Sequence, residues 1–194
     1  MTTHHERKFP VILITGTPGT GKSFHSLLLA QALESSSTPL VHLNIGDIVK
    51  EKGFHEGWDE EWQSWTIDED RLLDYLEEII NPEGGAAATG FIIDHHDPSL
   101  FPERWIDLAV VLLCDNKVLH ERLTARNYPP NKLTENITAE IMQTCLSETR
   151  ESYAEEIIVE LASNGEGDDV DENVRRLESW VGTWVADRAA GGEE

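Results

Sequence analysis

The segment that decides the fold is residues 9–23, which read FPVILITGTPGTGKS. Its first part, residues 9–15, is a short apolar run, which is typical of a strand buried on both faces in a parallel sheet. Residues 16–23 fit the pattern GxxxxGK[ST] without a gap, and residues 22–34 have the apolar spacing of a helix. A strand, a glycine-rich turn and a helix in this order predict a loop that binds nucleotide phosphates.

The residue types in this turn are those that phosphate binding requires. Glycines let backbone N–H groups approach phosphate oxygens, and the following helix adds the positive end of its dipole. Lys22 supplies a mobile positive charge to the β- and γ-phosphates, and the Ser23 hydroxyl is placed to ligate Mg2+. The predicted contacts to ATP are therefore those of the turn and the start of the helix: Gly19, Thr20, Gly21, Lys22, Ser23 and Phe24.

The rest of the chain alternates strands with helices, which indicates one α/β domain, a five-stranded parallel sheet with helices on both faces. The predicted strands cover residues 9–15, 40–44, 91–94, 108–113 and 157–161. The predicted helices cover residues 22–34, 68–80, 115–125, 134–154 and 174–185, and Asp68 is the expected N-cap of the second. Residues 46–67 and 126–133 fit the alternation poorly, so we expect them to leave the core as ligand-binding segments.

An acidic residue ends the third predicted strand. Asp94 follows an apolar run at the edge where ligands bind in parallel sheets, so we expect it to hold Mg2+ through water, opposite Ser23. The alternative is that Asp94 is only a strand-end turn residue. His95 and His96 come next, and an imidazole here is suited to orient an attacking water or to sense the γ-phosphate. The alternatives for His96 are a surface-loop histidine and, less favoured because no third ligand has suitable spacing, a zinc ligand.

The composition excludes several classes of protein. The chain has 194 residues, 39% of them hydrophobic, and no run of 18 apolar residues, so it predicts one packed domain without a membrane span. The first ten residues lack the apolar stretch of a secretory signal. Two cysteines, Cys114 and Cys145, exclude a disulfide scaffold. The sequence NKxD, with which GTPases read guanine, is absent.

The net charge is −22, from 37 acidic and 15 basic residues. A surface this acidic repels phosphate backbones, so we expect no direct, high-affinity binding of nucleic acid. It favours a basic partner and fast, salt-sensitive association with that partner. The alternative is that the acidity serves solubility alone.

The chain resembles adenylate kinase isoenzyme 6, the nuclear adenylate kinase-like ATPase of small ribosomal subunit assembly. Four segments carry the resemblance: GTPGTGKS at 16–23, NIGD at 44–47, DHH at 94–96 and FPERW at 101–105. The resemblance extends from about Phe9 to Trp184, and it implies a P-loop NTPase fold of the nucleoside monophosphate kinase type. It also implies a small AMP-binding arm at residues 44–67 and a short lid at residues 125–135.

The resemblance implies a reaction, ATP + AMP to two ADP with Mg2+, together with slow ATP hydrolysis. The implied catalytic residues are Lys22, Asp94, His96 and the lid residue Arg126, which also contacts ATP. The implied AMP-binding residues are Asn44, Gly46, Asp47 and Lys50. Lys50 stands where ordinary adenylate kinases have an arginine, and a lysine cannot form the bidentate fork. Because lid arginines are few, we expect transfer slower than in those enzymes.

Two more arginines are candidates for phosphate contacts. Arg104 is the nearest candidate for a second AMP clamp, and Arg122, one turn before Arg126, is placed to assist it. The tryptophans of the arm have two interpretations. We expect Trp62 and Trp65 to fill a small core under the arm, and the alternative is that aromatic faces border the AMP base.

The family also implies a basic small-subunit ribosomal protein as partner, the pre-ribosomal small subunit as the place of action, and the nucleus and cytoplasm as location. That partner accounts for the net charge better than solubility alone. Two rival functions stay open. One is an ATP-switched ribosome assembly factor with incidental kinase activity, and the other is a plain nucleoside monophosphate kinase without a protein partner.

Overall fold

The computed structural model of the chain describes residues 7–60, 64–83, 87–165 and 168–191. The strands are β1 (Val11–Thr15), β2 (Leu40–Asn44), β3 (His55–Asp59), β4 (Ser64–Ile67), β5 (Gly90–Asp94), β6 (Leu108–Leu113) and β7 (Ile158–Ala162). The helices are α1 (Lys22–Leu33), α2 (Ile45–Lys52), α3 (Glu69–Ile80), α4 (Asn116–Ala125), α5 (Pro130–Ile141), α6 (Thr144–Ser152) and α7 (Asp168–Gly191). Within these ranges, no helix has both the length and the apolar character that crossing a membrane requires.

The central sheet has five parallel strands in the order β2-β5-β1-β6-β7, so the predicted five-stranded parallel sheet is confirmed. Strand β1 is completely buried, because it lies in the middle of the sheet and helices cover both of its faces. Its even-numbered residues, Ile12 and Ile14, pack with Leu29 of α1 and Val181 of α7. The odd-numbered residues face the other side, where α2 and α3 pack.

Capping residues fix where several helices begin. The Asp68 side chain accepts a hydrogen bond from the backbone N–H of Arg71, so the predicted N-cap of α3 is confirmed. Asn44 caps α2 in the same way, through the backbone N–H of Asp47. This second cap matters for the site, because it places a polar side chain where β2 ends and α2 begins.

Residues 46–67 leave the core, as predicted, but they contain regular structure that the sequence did not indicate. They form most of α2 and then an antiparallel hairpin of β3 and β4, in which Trp58 lies directly opposite Trp65. The hairpin is a separate two-stranded sheet and does not join the central one. Residues 61–63 lie outside the described residues, so the expectation for Trp62 stays a prediction.

Three helix boundaries differ from the predictions. The segment 126–133 is only partly a loop, because α5 begins at Pro130, and proline is favoured at the first position of a helix. The predicted helix 134–154 is two helices, since Gln143 adopts a left-handed backbone conformation (φ 51°) between α5 and α6. The final helix is longer than predicted, at 24 residues.

Candidate functional site

A cleft of about 800 Å³ lies at the carboxyl edge of the central sheet. The loop after β1, the end of β2 and the end of β5 meet there, as expected at this edge of a parallel sheet. Of the residues predicted for the site, those lining the cleft are Gly19, Lys22, Asn44, Gly46, Lys50, Asp94, His96 and Arg126. The topology therefore brings together side chains that are more than 100 positions apart in the sequence.

The phosphate loop has the backbone that its glycines predict. Gly16, Gly19 and Gly21 have positive φ angles of 143°, 101° and 98°. A Cβ atom on Gly16 would lie 2.6 Å from the carbonyl oxygen of Leu112, so only glycine fits at this close approach. Lys22 Nζ lies over the loop and donates hydrogen bonds to the carbonyl oxygens of Gly16 (2.8 Å) and Thr17 (3.2 Å).

The Lys22 ammonium group sits in a largely buried environment. Burial lowers its pKa to about 8, although the negative charge of Asp94 opposes the shift. The group is therefore poorly solvated and is held by two carbonyl oxygens. A phosphate ligand would add negative charge beside this cation and form charge-assisted hydrogen bonds with it.

A polar cluster joins the start of α1 to the ends of β2 and β5. Asn44 Nδ2 donates to Asp94 Oδ2 at 2.8 Å and to Ser23 Oγ at 3.3 Å, and His42 Nε2 lies 3.3 Å from the same carboxylate oxygen. Asp94 is 4% exposed, and burial acts to raise its pKa. Hydrogen bonds with His42 and Ser23 and the charge of Lys22 outweigh burial, so its pKa is lowered. The carboxylate is ionised at neutral pH.

The two histidines after Asp94 have different surroundings. His95 is buried against Phe101, and burial lowers its pKa to about 3, so its ring is neutral. His96 is exposed to the cleft, and partial desolvation followed by the charge of Lys22 lowers its pKa. His96 is therefore the histidine that is available to a ligand, in its neutral form at pH 7.

The segment predicted as the AMP-binding arm also lines the cleft. Gly46, Val49 and Lys50 of α2 face the cleft, together with Trp58 and Trp65 of the hairpin. Trp58 is 45% exposed and Trp65 is 37% exposed, and their rings meet edge to face with centroids 5.1 Å apart. The expectation that Trp65 fills a small core was therefore wrong. Asp47 lies on the first turn of α2 with an exposed side chain, outside the cleft lining.

A second cavity, of about 390 Å³, adjoins the phosphate loop on its other side. Gly19 and Arg126 line both cavities, so the two are neighbours. Gly21 and Phe24, both predicted to contact ATP, line the second cavity, and Phe24 is 55% exposed there. Thr20 is completely buried, and its hydroxyl donates to the carbonyl oxygen of Thr17, so its side chain stabilises the loop from within.

Two arginines that we considered for phosphate contacts have partners within the protein. Arg122 donates to the carbonyl oxygens of Ser163 (2.8 Å) and Gly165 (3.3 Å) and so fixes the segment after β7; it lines the second cavity together with Arg126 but not the main cleft. Arg104 pairs with Glu77 of α3 at 3.0 Å and is absent from the cleft lining. The sequence could not show this, because both partners are distant in the chain.

Other cleft residues belong to no motif and were not singled out, although Tyr128, Lys132 and Glu135 lie within the predicted lid at residues 125–135. α5 and the loop before it contribute Tyr128, Lys132, Glu135, Asn136 and Ala139, and α6 contributes Thr144, Cys145 and Glu148. His42 was also missed, although its position two residues before Asn44 on one strand places both side chains on the same face. That period-two spacing was the one available signal.

The donor set beside the phosphate loop suits a hard cation. Ser23 and Asp94 offer a hydroxyl and a carboxylate oxygen, which are the ligand types that Mg2+ prefers. In the described residues, no group of three or more His, Cys, Asp or Glu side chains is arranged to hold a metal ion.

Comparison with known proteins defines the family. A family described as an AAA domain matches residues 12–143. An adenylate kinase isoenzyme 6 homolog of Schizosaccharomyces pombe is 45% identical over 181 residues, which cover 93% of this chain and 97% of the relative. The homolog of Dictyostelium discoideum is 42% identical over 179 residues, or 92% of this chain and 95% of the relative.

Solved structures show the same fold with little sequence identity. A shikimate kinase from Bacteroides thetaiotaomicron has a TM-score of 0.58 at 16% identity, covering 89% of this chain and 98% of the neighbour. A gluconokinase from Sinorhizobium meliloti has a TM-score of 0.53 at 16% identity, covering 96% of this chain and 99% of the neighbour. The fold is thus that of the P-loop kinases, of the nucleoside monophosphate kinase type. With these relatives and this cleft, the chain is a nucleotide kinase-like P-loop protein that belongs to the adenylate kinase isoenzyme 6 family.

Proposed function

We propose that the chain transfers the γ-phosphoryl group of ATP to AMP, giving two ADP, and that it hydrolyses ATP slowly. One observation carries the proposal. A single cleft is lined by Gly19 and Lys22 of the phosphate loop, by Asn44 and Asp94 of the polar cluster, and by residues of α2 and the hairpin. Two nucleotides bound end to end would therefore meet with their phosphates near Lys22.

The proposed positions of the two nucleotides follow from the cavities. The triphosphate of ATP lies along residues 16–23, and its base and sugar extend into the second cavity, beside Phe24 and Arg126. AMP lies in the arm at residues 44–67, where Asn44, Gly46 and Lys50 border its phosphate and the exposed indole rings border its base. Asp47 is the weakest member of this set, because it is absent from the cleft lining.

Catalysis in this arrangement depends on positioning and on charge neutralisation. An oxygen of the AMP phosphate attacks the γ-phosphorus, the bond from that phosphorus to the β–γ bridging oxygen breaks, and ADP leaves. Lys22 and Arg126 neutralise charge on the transferred group. Ser23 and Asp94 would hold Mg2+, Asp94 through water, and the bound cation supplies further neutralisation of the phosphates.

Slow hydrolysis follows from the same geometry when water replaces AMP. His96 is exposed in the cleft and neutral, so it is able to accept a hydrogen bond from a water molecule near the γ-phosphate. We propose that residues 125–135, with Arg126, act as the lid. Because this segment contributes a single arginine, it excludes water less completely than a lid with several.

The proposed cellular role is maturation of the small ribosomal subunit through a basic ribosomal protein, in the nucleus and cytoplasm. The family resemblance implies this role, and the net charge of −22 suits a basic partner. In the first rival function, the chain is an ATP-switched assembly factor that has the same partner but transfers negligible phosphate to AMP. In the second rival function, the chain is a plain nucleoside monophosphate kinase without a protein partner.

The deciding experiment measures ATP turnover with and without AMP, and repeats both measurements with the basic ribosomal protein added. We expect ADP formation that AMP stimulates, hydrolysis without AMP, and a change in turnover when the protein is added. Lys22→Ala is the inactive control, and it should abolish both activities. No turnover by the wild-type chain, or turnover that Lys22→Ala retains, would refute the proposed function.

A further inference from the structure

A buried carboxylate joins the phosphate loop to α5, the helix that begins within the proposed lid. Glu140 lies in the last turn of α5 and is 8% exposed. Thr17 Oγ1 donates a hydrogen bond of 2.5 Å to Glu140 Oε2, and the backbone N–H of Cys114 donates one of 2.6 Å to Oε1. One side chain therefore connects the loop after β1, the end of β6 and α5.

Thr17 is the residue of the loop on which other contacts converge. Its carbonyl oxygen accepts hydrogen bonds from Lys22 Nζ (3.2 Å), from the Thr20 hydroxyl (2.9 Å) and from the Thr20 backbone N–H (3.2 Å). Thr17 itself is 4% exposed, and it borders the cleft. A displacement of Thr17 would therefore displace the resting position of the Lys22 ammonium group and the curvature of the loop.

A carboxylate at this position has an electrostatic cost. Burial penalises its charge, and a negative group beside a phosphate loop repels the ligand that the loop binds. The compensation is geometric, because both carboxylate oxygens accept short hydrogen bonds, and such charge-assisted bonds are about twice as strong as neutral ones. Glu140 is 123 positions from Thr17 in the sequence, which is why the loop motif does not include it.

We propose that Glu140 is a positioning residue for ATP, which acts through Thr17 by fixing the curvature of the phosphate loop. The inference depends on the nucleotide binding proposed above. It adds a mechanical consequence, since α5 also carries Lys132 and Asn136 of the cleft wall. The Glu140 side chain then links the phosphate loop to α5. This link fixes the position of the loop relative to Lys132 and Asn136 when the nucleotide binds.

The test measures the affinity of a non-hydrolysable ATP analogue, with Mg2+, by calorimetry. Thr17→Val removes the hydroxyl donor but leaves the bond between Cys114 and Glu140, and Glu140→Met removes both acceptors at similar length. We expect each variant to raise the Kd by about tenfold, in line with the loss of one charge-assisted hydrogen bond. The double variant should bind no more weakly than either single one, because both remove the same link.

Two conservative variants serve as matched controls. Thr17→Ser retains the hydroxyl, and Glu140→Gln retains a carbonyl acceptor for Cys114 and an amide that reaches the Thr17 hydroxyl, so both should bind the analogue within about twofold of wild type. A merely structural role would lower the melting temperature but leave the Kd of the folded protein unchanged.

Three outcomes would overturn the inference: wild-type affinity in Thr17→Val, additive losses in the double variant, or an equal loss in Thr17→Ser. If Glu140→Met fails to fold, the comparison of Thr17→Val with Thr17→Ser decides alone. Failure of the proposed function looks different, since the wild-type chain itself would then bind no analogue. Normal wild-type binding with unaffected variants contradicts only the role of Glu140.

Discussion

Single residues in this site divide into those that contact a ligand and those that support them, and the two histidines after β5 illustrate the division. They are adjacent in the sequence, with ring centroids 4.5 Å apart, and both border the cleft, yet His95 is buried and His96 is exposed. The sequence identified the pair, but only the packing of Phe101 shows which member is buried.

We predict that His96→Ala lowers the rate of ATP hydrolysis by about 100-fold, the loss expected when a group that accepts a proton from water is removed. The affinity for the Mg2+–ATP analogue should stay within about twofold, because the loop provides it. Hydrolysis kinetics and calorimetry on one preparation measure both. His120→Ala, at an exposed position of α4, is the control. An unchanged hydrolysis rate would refute the role given to His96.

A second prediction concerns His25, a buried histidine of α1 that no motif singled out. Its Nδ1 lies 3.0 Å from the carbonyl oxygen of Gly21, and its Nε2 lies 3.3 Å from Asn173 Nδ2 of α7. Asn173 Nδ2 is a donor, and it also donates to the carbonyl oxygen of Ala162. The ring satisfies both contacts only when it is neutral with its proton on Nδ1, and a second proton would set two donors against each other.

Burial lowers the pKa of His25, whereas in the unfolded chain an ordinary histidine titrates near 6.5. Below about pH 6.5 the unfolded chain therefore binds a proton that the folded chain does not. Stability is lost as the pH falls, by up to about 1.4 kcal/mol per pH unit for one proton. Urea unfolding at pH 7.5 and 5.5 measures this, and His25→Gln should lose less stability than wild type between these pH values. Equal losses would contradict the prediction.

Among the secondary-structure elements, those of the core were predictable and those of the cleft walls were not. β1, β5 and β6 are short apolar runs because helices cover both faces, so their sequence reports their burial directly. The hairpin of β3 and β4 has no such signal, since its residues are half-exposed and its partner strand is its only neighbour in a sheet. The break at Gln143 was also unpredictable, because neither glycine nor proline marks it.

The hairpin yields a prediction about the acceptor nucleotide. If the exposed indole rings border the AMP base, Trp65→Ala should raise the KM for AMP by about tenfold, in line with the loss of one stacking contact. The KM for ATP should change by less than about twofold, because Trp65 belongs neither to the phosphate loop nor to the second cavity, where ATP is proposed to bind. Steady-state kinetics with each nucleotide varied in turn measure both values.

The matched control for Trp65 is Trp184→Ala. Trp184 lies on α7, where it packs against Trp180 and under Arg188, and it is absent from both cavities. This variant should leave the KM for AMP unchanged. An equal rise in both KM values for Trp65→Ala would instead indicate that the hairpin affects the whole cleft through its packing.

At the scale of the whole molecule, the fold and the acceptor are separate questions. The phosphate loop predicts the fold because its backbone needs a strand before it and a helix after it. The acceptor does not follow from the fold, since a shikimate kinase and a gluconokinase share it at 16% identity. The identity of the acceptor depends on the arm, and the arm is where the sequence pattern was weakest.

The net charge of −22 is also a property of the whole molecule, and it leads to the last prediction. If the partner is a basic ribosomal protein, long-range attraction steers the encounter, and salt screens it over about 8 Å at physiological ionic strength. The association rate constant should fall more than about tenfold between 0.05 and 0.5 M salt, while the dissociation rate constant changes less. Stopped-flow or surface-based kinetics measure both constants. The affinity for the ATP analogue, measured over the same salt series, is the control for the integrity of the folded chain. An association rate constant that does not depend on salt would show that the acidic residues serve solubility and not partner binding.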